Sequence, residues 1–355
     1  MLISKLTKAR NALTTEHDRK LSEFLQQISL AVETAQTKDE LISVINQVKA
    51  FGSPLKFKHS RYKLLAVTTG FVATVTGVFS DKIYAQWNYS TEPLSVLFAF
   101  FTMTLIFFMC RENVDVQSIS RRLFFRALLF DNKLKEITSE FVPIESRLFN
   151  NYCEFNRGNY SRSITEGYTG RYQGNTYAFD YIFYHFHYVD KRTERITDSE
   201  GRSTFQTFHY HYDRYGIELD FRLVRLLAIT SKSICGFDGK RYKTSSNRFN
   251  RHFRVITGDE MTAARFLKPA VVLVCEEITN KFRELNLEFN KQGGLIMSFD
   301  NKKVLHKTRQ FDLNYPDEFT HEVSENNSLP ELYAALEFIH TLMLFSDNNF
   351  KEGNK

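Results

Sequence analysis

Cysteine is scarce in this chain: four residues in 355, at Cys110, Cys153, Cys235 and Cys275, with no CxxC spacing. That excludes a disulfide framework and fits reduced thiols. No linker rich in Pro, Gly or Ser, no internal repeat and no low-complexity tract divides the sequence. There is no serine elbow, no phosphate loop and no cysteine in a helix-start setting, so no nucleophile presents itself and an enzyme is not the expected reading. An apolar run is also missing from the amino terminus, where a cleavable signal peptide would need one.

What the chain has in excess is aromatic surface, with 34 Phe and 17 Tyr, and two runs without charge. Leu64 to Ser80 and Pro93 to Cys110 compare with the roughly 17 to 25 residues of a spanning helix. Lys49, Lys56, Lys58, Arg61 and Lys63 precede the first run, and Arg111, Arg121, Arg122 and Arg126 follow the second. The connector holds Lys82 alone, with Tyr84, Trp87 and Tyr89 as rings suited to a headgroup boundary. The expectation is a two-helix transmembrane hairpin, multi-pass in an inner (plasma) membrane with both termini cytoplasmic. Ala66, Gly70, Ala73 and Gly77 share one helical face, a packing groove for the partner span or for a second copy.

Periodicity assigns residues 1–62 to cytoplasmic helices, with Leu21, Leu25, Ile28 and Val32 on one stripe and a capping box at Thr37 to Glu40. Residues 63–111 hold the hairpin and 112–150 a charged helix. From Tyr152 the texture is that of strands, and AFDYIFYHFHYV and TFQTFHYHYDRYGIELDF read as long strands joined near Asp198 to Gly201. Residues 270–289 read as one helix ending at Gly293-Gly294, and LIMSF with VLHKT as a hairpin. The fold class is α+β: an antiparallel-sheet domain with packed helices over 151–315, then a linker, helix and tail over 316–355.

Two clusters are candidate sites. A turn centred near Asp198 sets His185 opposite His211 and His187 opposite His209, and strand alternation puts all four on one sheet face. Three or four imidazoles there are zinc chemistry or a response to mildly acidic pH. Competing with this is a half-solvated sheet surface, since a flat grid suits tetrahedral zinc poorly. Lys240, Arg241, Lys243, Arg248, Arg251 and Arg254, with Phe249 and Phe253 interleaved, form a basic surface suited to anionic headgroups. The net charge of +6 is modest, and nucleic acid is not an expected partner.

The stretch FNRHFRVITGDEMTAARFLKP, with Phe249, Phe253, Val255, Asp259, Ala264, Arg265, Leu267 and Pro269, resembles the bacterial membrane proteins grouped as domain of unknown function 3137. Gly170, Tyr172 and Gly174 before the strand pair, and Gly239-Lys240 after it, are similar in order. The resemblance covers about residues 60 to 315 and implies a paired-helix anchor followed by a cytoplasmic α+β domain, with no activity attached. The histidine-rich strands depart from that pattern.

Together these readings predict a membrane-anchored binding or interaction module, its partners a lipid bilayer, a cytoplasmic protein or its own copies, with no cofactor required. One alternative is a metal-dependent enzyme or sensor, with zinc on the histidines. Another is a membrane-disrupting effector whose small-residue helices assemble.

Overall fold

The computed structural model describes residues 15–52, 55–80, 92–138, 141–197, 201, 203–234 and 236–351. The connector with Tyr84, Trp87 and Tyr89, the turn residues Asp198, Ser199 and Glu200, and Cys235 lie outside them. So do the side chains of Cys110 and Arg111. The chain forms two compact units, residues 1–131 with 308–327, and residues 132–307 with 328–355.

The first unit is helical. α1 (Glu16–Thr34) starts where Thr15 accepts from the Asp18 N–H at 3.1 Å, and α2 (Lys38–Phe51) where Thr37 accepts from the Glu40 N–H. The Glu40 carboxylate reaches back to the Gln36 N–H at 2.7 Å, one residue before the box position. α3 (Ser60–Val78) and α4 (Glu92–Asp131) follow. Leu21, Leu25, Ile28 and Val32 of α1 pack with Leu41, Val44, Ile45 and Val48 of α2 and with Val116, Ile119, Leu123 and Ala127 of α4. The chain returns to this core through Leu313 and through Phe319 and Val323 of α9 (Pro316–Ser324).

The transmembrane hairpin is corrected here, and with it the multi-pass inner-membrane placement: among the described residues, no helix is long and apolar enough to cross a membrane. α3 carries Arg61 and Lys63 in its first turns, so its uncharged part runs only from Leu64 to Val78, short of the roughly 17 residues a span needs. Thr68, Thr69, Thr74 and Thr76 further dilute it, their hydroxyls donating to carbonyls one turn back. α4 is one continuous helix of 40 residues. Between α3 and α4, a Cβ on Gly70 would lie 3.7 Å from Thr102, one on Gly77 3.8 Å from Ser95, and Ala66 is buried with Tyr62 and Leu105. Thr69 and Thr102 share a 2.7 Å hydroxyl bond between α3 and α4. Elsewhere the pair leaves Val67, Phe71, Phe100 and Met103 exposed.

The second unit is built on a nine-stranded sheet. In chain order come β1 (Lys135–Glu136), α5 (Phe141–Asn151), a 3-10 turn (Cys153–Asn156), β2 (Ser161–Gln173), β3 (Ala178–Thr197), β4 (Ser203–Asp220), β5 (Leu227–Thr230) and β6 (Lys240–Tyr242). Then follow α6 (Asn247–His252), β7 (Arg254–Thr257), α7 (Glu260–Phe266), α8 (Pro269–Ile278), β8 (Asn286–Phe289), β9 (Gly294–Phe299) and α10 (Pro330–Lys351). The strand order is β1-β2-β3-β4-β9-β8-β5-β7-β6, and every pairing is antiparallel. Tyr184, Phe186 and Tyr188 of β3 pack under Leu148 of α5 and Phe155 of the 3-10 turn.

The expected helix over 270–289 stops at Ile278, and Asn286–Phe289 is instead a wholly buried strand paired with β9. Gly293, at φ 92°, turns that hairpin, so LIMSF pairs with the segment before it and not with VLHKT. Four residues, Asn-Leu-Glu-Phe, are too few for their alternation to stand out, and Phe282, Leu285 and Phe289 continue a helical spacing, which is why the segment reads as helix.

Candidate functional site

β4 is longer than the neighbour that covers it. Its ladder with β9 runs from Asp220 opposite Gly294 to Tyr215 opposite Phe299, and there β9 ends. On its other side β4 stays paired with β3 to Ser203 opposite Thr197. β2 leaves β3 at Val189, opposite Ser161. Beyond that point β3 and β4 continue as a two-stranded ribbon.

Hydrogen-bond phase determines which groups the uncovered edge presents. The Phe221 N–H donates to the Gly293 carbonyl at 2.7 Å, and antiparallel bonds to one neighbour recur at every second residue. The odd-numbered residues of β4 therefore point their N–H and C=O toward the β9 side. At Asp213, His211, His209, Thr207 and Phe205 that side holds no strand among the described residues.

The two edges of the ribbon are treated differently. On the β3 edge, Asp190, Lys191, Arg192, Glu194 and Arg195 are charged, and the Asn159 amide accepts from the Lys191 N–H at 2.7 Å while donating to its carbonyl at 3.2 Å. From Ser203 to Tyr212 the β4 edge has no charged residue, no proline and no glycine. Exposed edges are ordinarily blunted by such residues, because a bare one templates another strand.

Where β9 ends, a buried ion network fixes the end of the row. Arg214 Nε donates to Glu154 Oε1 at 2.9 Å, and its Nη2 donates to the Glu284 carbonyl at 2.9 Å and to Ser298 Oγ at 3.0 Å. Glu154 also receives Arg157 at 2.9 and 2.8 Å and Asn286 Nδ2 at 3.0 Å. Burial alone would raise the Glu154 carboxyl; Arg214 and Arg157 overcome that and hold it at about 2. Glu288, buried and accepting from the Cys153 and Glu154 N–H groups, is pushed up to about 7, chiefly by desolvation. Beside this network, in the row β9 would occupy if it continued, lies a cleft of 560 Å³ lined by Tyr212, Arg214, Lys232, Glu284 and the Asp300–Lys303 turn. Lys232 pairs with Glu284 at 2.7 Å and Arg283 with Asp300 at 3.6 Å. Lys302 and Lys303 have no carboxylate within 4 Å among the described residues.

The histidines lie on the same ribbon in a different register from the one expected. The turn centres two residues later, so His187 faces Asp213, His185 faces Tyr215, Val189 faces His211 and Lys191 faces His209. Parity is unchanged and all four imidazoles do share a face, but His209 is separated from the rest and packs on the Tyr160 ring at 4.7 Å. Asp213 takes its place. His185 Nε2 and His187 Nδ1 each lie 2.8 Å from Asp213 Oδ1, His211 Nδ1 lies 3.1 Å from His187 Nε2, and Thr165 Oγ1 lies 2.8 Å from His185 Nδ1.

One assignment of neutral tautomers satisfies this whole chain. Thr165 donates to His185, His185 and His187 donate to Asp213, and His211 donates to His187. Every ring nitrogen is then engaged except His211 Nε2. Among the described residues no group of three or more His, Cys, Asp or Glu side chains converges to hold a metal ion. Burial pushes the Asp213 carboxyl up, but the His187 and His185 hydrogen bonds prevail and leave it below the usual carboxylate range.

Asp213 was accessible to sequence reasoning, since it continues the alternation of His209 and His211. A shift of the assumed turn by two residues brings it opposite His187. The basic surface expected from Lys240 to Arg254 sits at the far end of the sheet, on β6, α6 and β7. Lys240, Arg241, Lys243, Arg248, Arg251 and Arg254 are all exposed, and Arg248 lies 3.7 Å from Glu276. Phe249 and Phe253 are buried there, so the interleaved rings serve the core and not a surface. No family model, curated protein or solved structure matches this chain.

Proposed function

We propose that this protein is a binding module that takes up an extended, acidic segment of another polypeptide as an added strand along β4. The observation that carries the reading is the bare Ser203–Tyr212 edge set against the charged, amide-capped edge of β3. An incoming strand would satisfy the open N–H and C=O groups of Thr207, His209, His211 and Asp213, gaining affinity from main-chain bonds and specificity from alternate side chains. Its hydrogen-bonded residues would present side chains on the histidine face, opposite His209 and His211. The Lys302 and Lys303 ammonium groups at the end of the row favour acidic residues in the occupant.

A fluorescent peptide of strand length, alternating Glu with Val, tests this against the full chain by anisotropy. Saturable binding is expected, weakened about ten-fold or more by Lys302→Glu with Lys303→Glu and by Thr207→Pro. Equal binding of a Lys-for-Glu peptide, or binding unaffected by Thr207→Pro, would overturn the reading. If the occupant is a second copy, the full chain alone will dimerise in solution and Thr207→Pro will return it to the monomer, which removes the other polypeptide from the proposal.

A further inference from the structure

We propose that a second cleft in the sheet unit, distinct from the β4 edge, binds a small organic phosphate. This cleft of 760 Å³ lies where the β1 segment, the β2–β3 turn and the end of β4 meet. Its volume is within the range of about 300 to 1,000 Å³ found for small-molecule sites.

The charges in it do not cancel. Five cations line the cleft against three carboxylates. Arg147 is committed to the buried Glu218 through bonds of 2.5 and 3.0 Å, Arg171 pairs with Asp180 at 3.1 Å and Arg222 with Asp220 at 3.4 Å. Lys133 and Lys135 remain, both exposed and with no carboxylate within 4 Å among the described residues.

Strand geometry keeps this charge uncompensated. Lys135 pairs with Thr169, which lines the cleft, whereas Glu136 pairs with Tyr168 and so projects from the opposite face of the sheet. The one acidic neighbour in the segment is turned away. Lys133 is held at φ 54°, a left-handed conformation natural to Gly or Asn and costly for Lys. The turn retains a cation where backbone chemistry alone would favour a different residue, and strain of that kind is a pointer to function.

Two ammonium groups with no carboxylate within 4 Å among the described residues, lining a concave site, suit the several oxygens of a phosphate or diphosphate better than a single carboxylate. Tyr177 and Met343 also line the cleft and supply an apolar wall. That wall gives an organic moiety something to lie against, which inorganic phosphate would not use.

Isothermal titration of the full chain with ATP and, separately, with inorganic pyrophosphate tests the proposal. ATP is expected to bind saturably and more tightly than pyrophosphate, and Lys133→Gln with Lys135→Gln should weaken it about ten-fold or more. Lys302→Gln with Lys303→Gln, at the other cleft, should leave it unchanged, and an unaltered thermal melt should show both variants folded. Equal affinity for ATP and pyrophosphate would overturn the role of the apolar wall. No saturable heat from either ligand, or undiminished binding in the Lys133/Lys135 variant, would overturn the site.

Discussion

Arg214 and Glu154 meet at 2.9 Å with both side chains only 1 % exposed, at the point where β9 ends and β4 runs on paired with β3 alone. The pair ties β4 to the 3-10 turn, while Nη2 reaches Ser298 and the Glu284 carbonyl and Nη1 lies 3.4 Å from Glu284 Oε2. Removing one member of a buried pair leaves the other desolvated without a counter-charge, at a cost of about 3–5 kcal/mol. Glu154→Gln should therefore lower stability by that order in denaturant unfolding at neutral pH. The folded carboxyl sits at about 2, below its ordinary 4.5, so its stabilisation is present above 4.5 and is lost as pH falls toward 2. Wild type should show an acid-unfolding limb in that window that Glu154→Gln lacks.

Glu288 behaves in the opposite sense. Its folded carboxyl is raised to about 7 from 4.5, so the folded state holds the proton more tightly than the unfolded chain. Its contribution is present below pH 4.5 and is lost as pH rises through 7. Stability of wild type minus that of Glu288→Gln, measured by denaturant midpoints, should decline between pH 5 and 7. A flat difference would place the ionised carboxylate comfortably between the Cys153 and Glu154 N–H groups and remove the argument.

The phase of β4 makes a prediction about proline that depends on odd and even numbering. At Thr207 the N–H faces the open side, so Thr207→Pro removes no main-chain bond to β3 and gives up the exposed hydroxyl bond to Thr193 at 3.3 Å. At Phe208 the N–H faces β3, opposite Arg192, and Phe208→Pro removes a ladder bond and adds a steric clash. Phe208→Pro should cost about 3 kcal/mol and Thr207→Pro less than about 1 kcal/mol. Comparable losses at the two positions would show that the phase is misassigned and that Thr207, His209 and His211 do not present their amides to the edge.

Much of the sheet was legible. The alternation placed β4 to within one residue at each end and the start of β3, whose last eight residues, Asp190–Thr197, it left out, and the stripe of α1 and the cap at Thr37 marked the helical core. Strands β8 and β9 were partly hidden, because Asn286–Phe289 is only four residues long and its Phe289 falls at helical spacing from Phe282 and Leu285. The histidine register failed for a different reason: turn length is not encoded in the strand pattern, and a two-residue shift preserves parity while changing every partner. Edge exposure was invisible, since it depends on β9 stopping at Phe299, a property of a distant segment. The apolar runs of α3 and α4 misled through their lack of charge, when α3 is shortened by Arg61 and Lys63 and diluted by threonine.

The His185–Asp213–His187 arrangement gives the last prediction, and it turns on which effect depresses the Asp213 carboxyl. Burial acts to raise it, and the ring hydrogen bonds from His187 and His185 act to lower it and prevail. Taking both rings away leaves burial without its opponent. In the His185→Ala, His187→Ala double variant, the carboxyl should titrate above its wild-type value by carbon-detected NMR, with each single variant intermediate. Because the folded carboxyl is depressed in wild type, its stabilisation is present above the unfolded value and is lost as pH falls through the folded one; that acid limb should vanish in the double variant. His209→Ala serves as the control, since His209 packs on Tyr160 at 4.7 Å and not on Asp213. A shift of Asp213 in that control as large as in the double variant would contradict the register in which His187 faces Asp213, and would restore the alternative in which His187 faces His209.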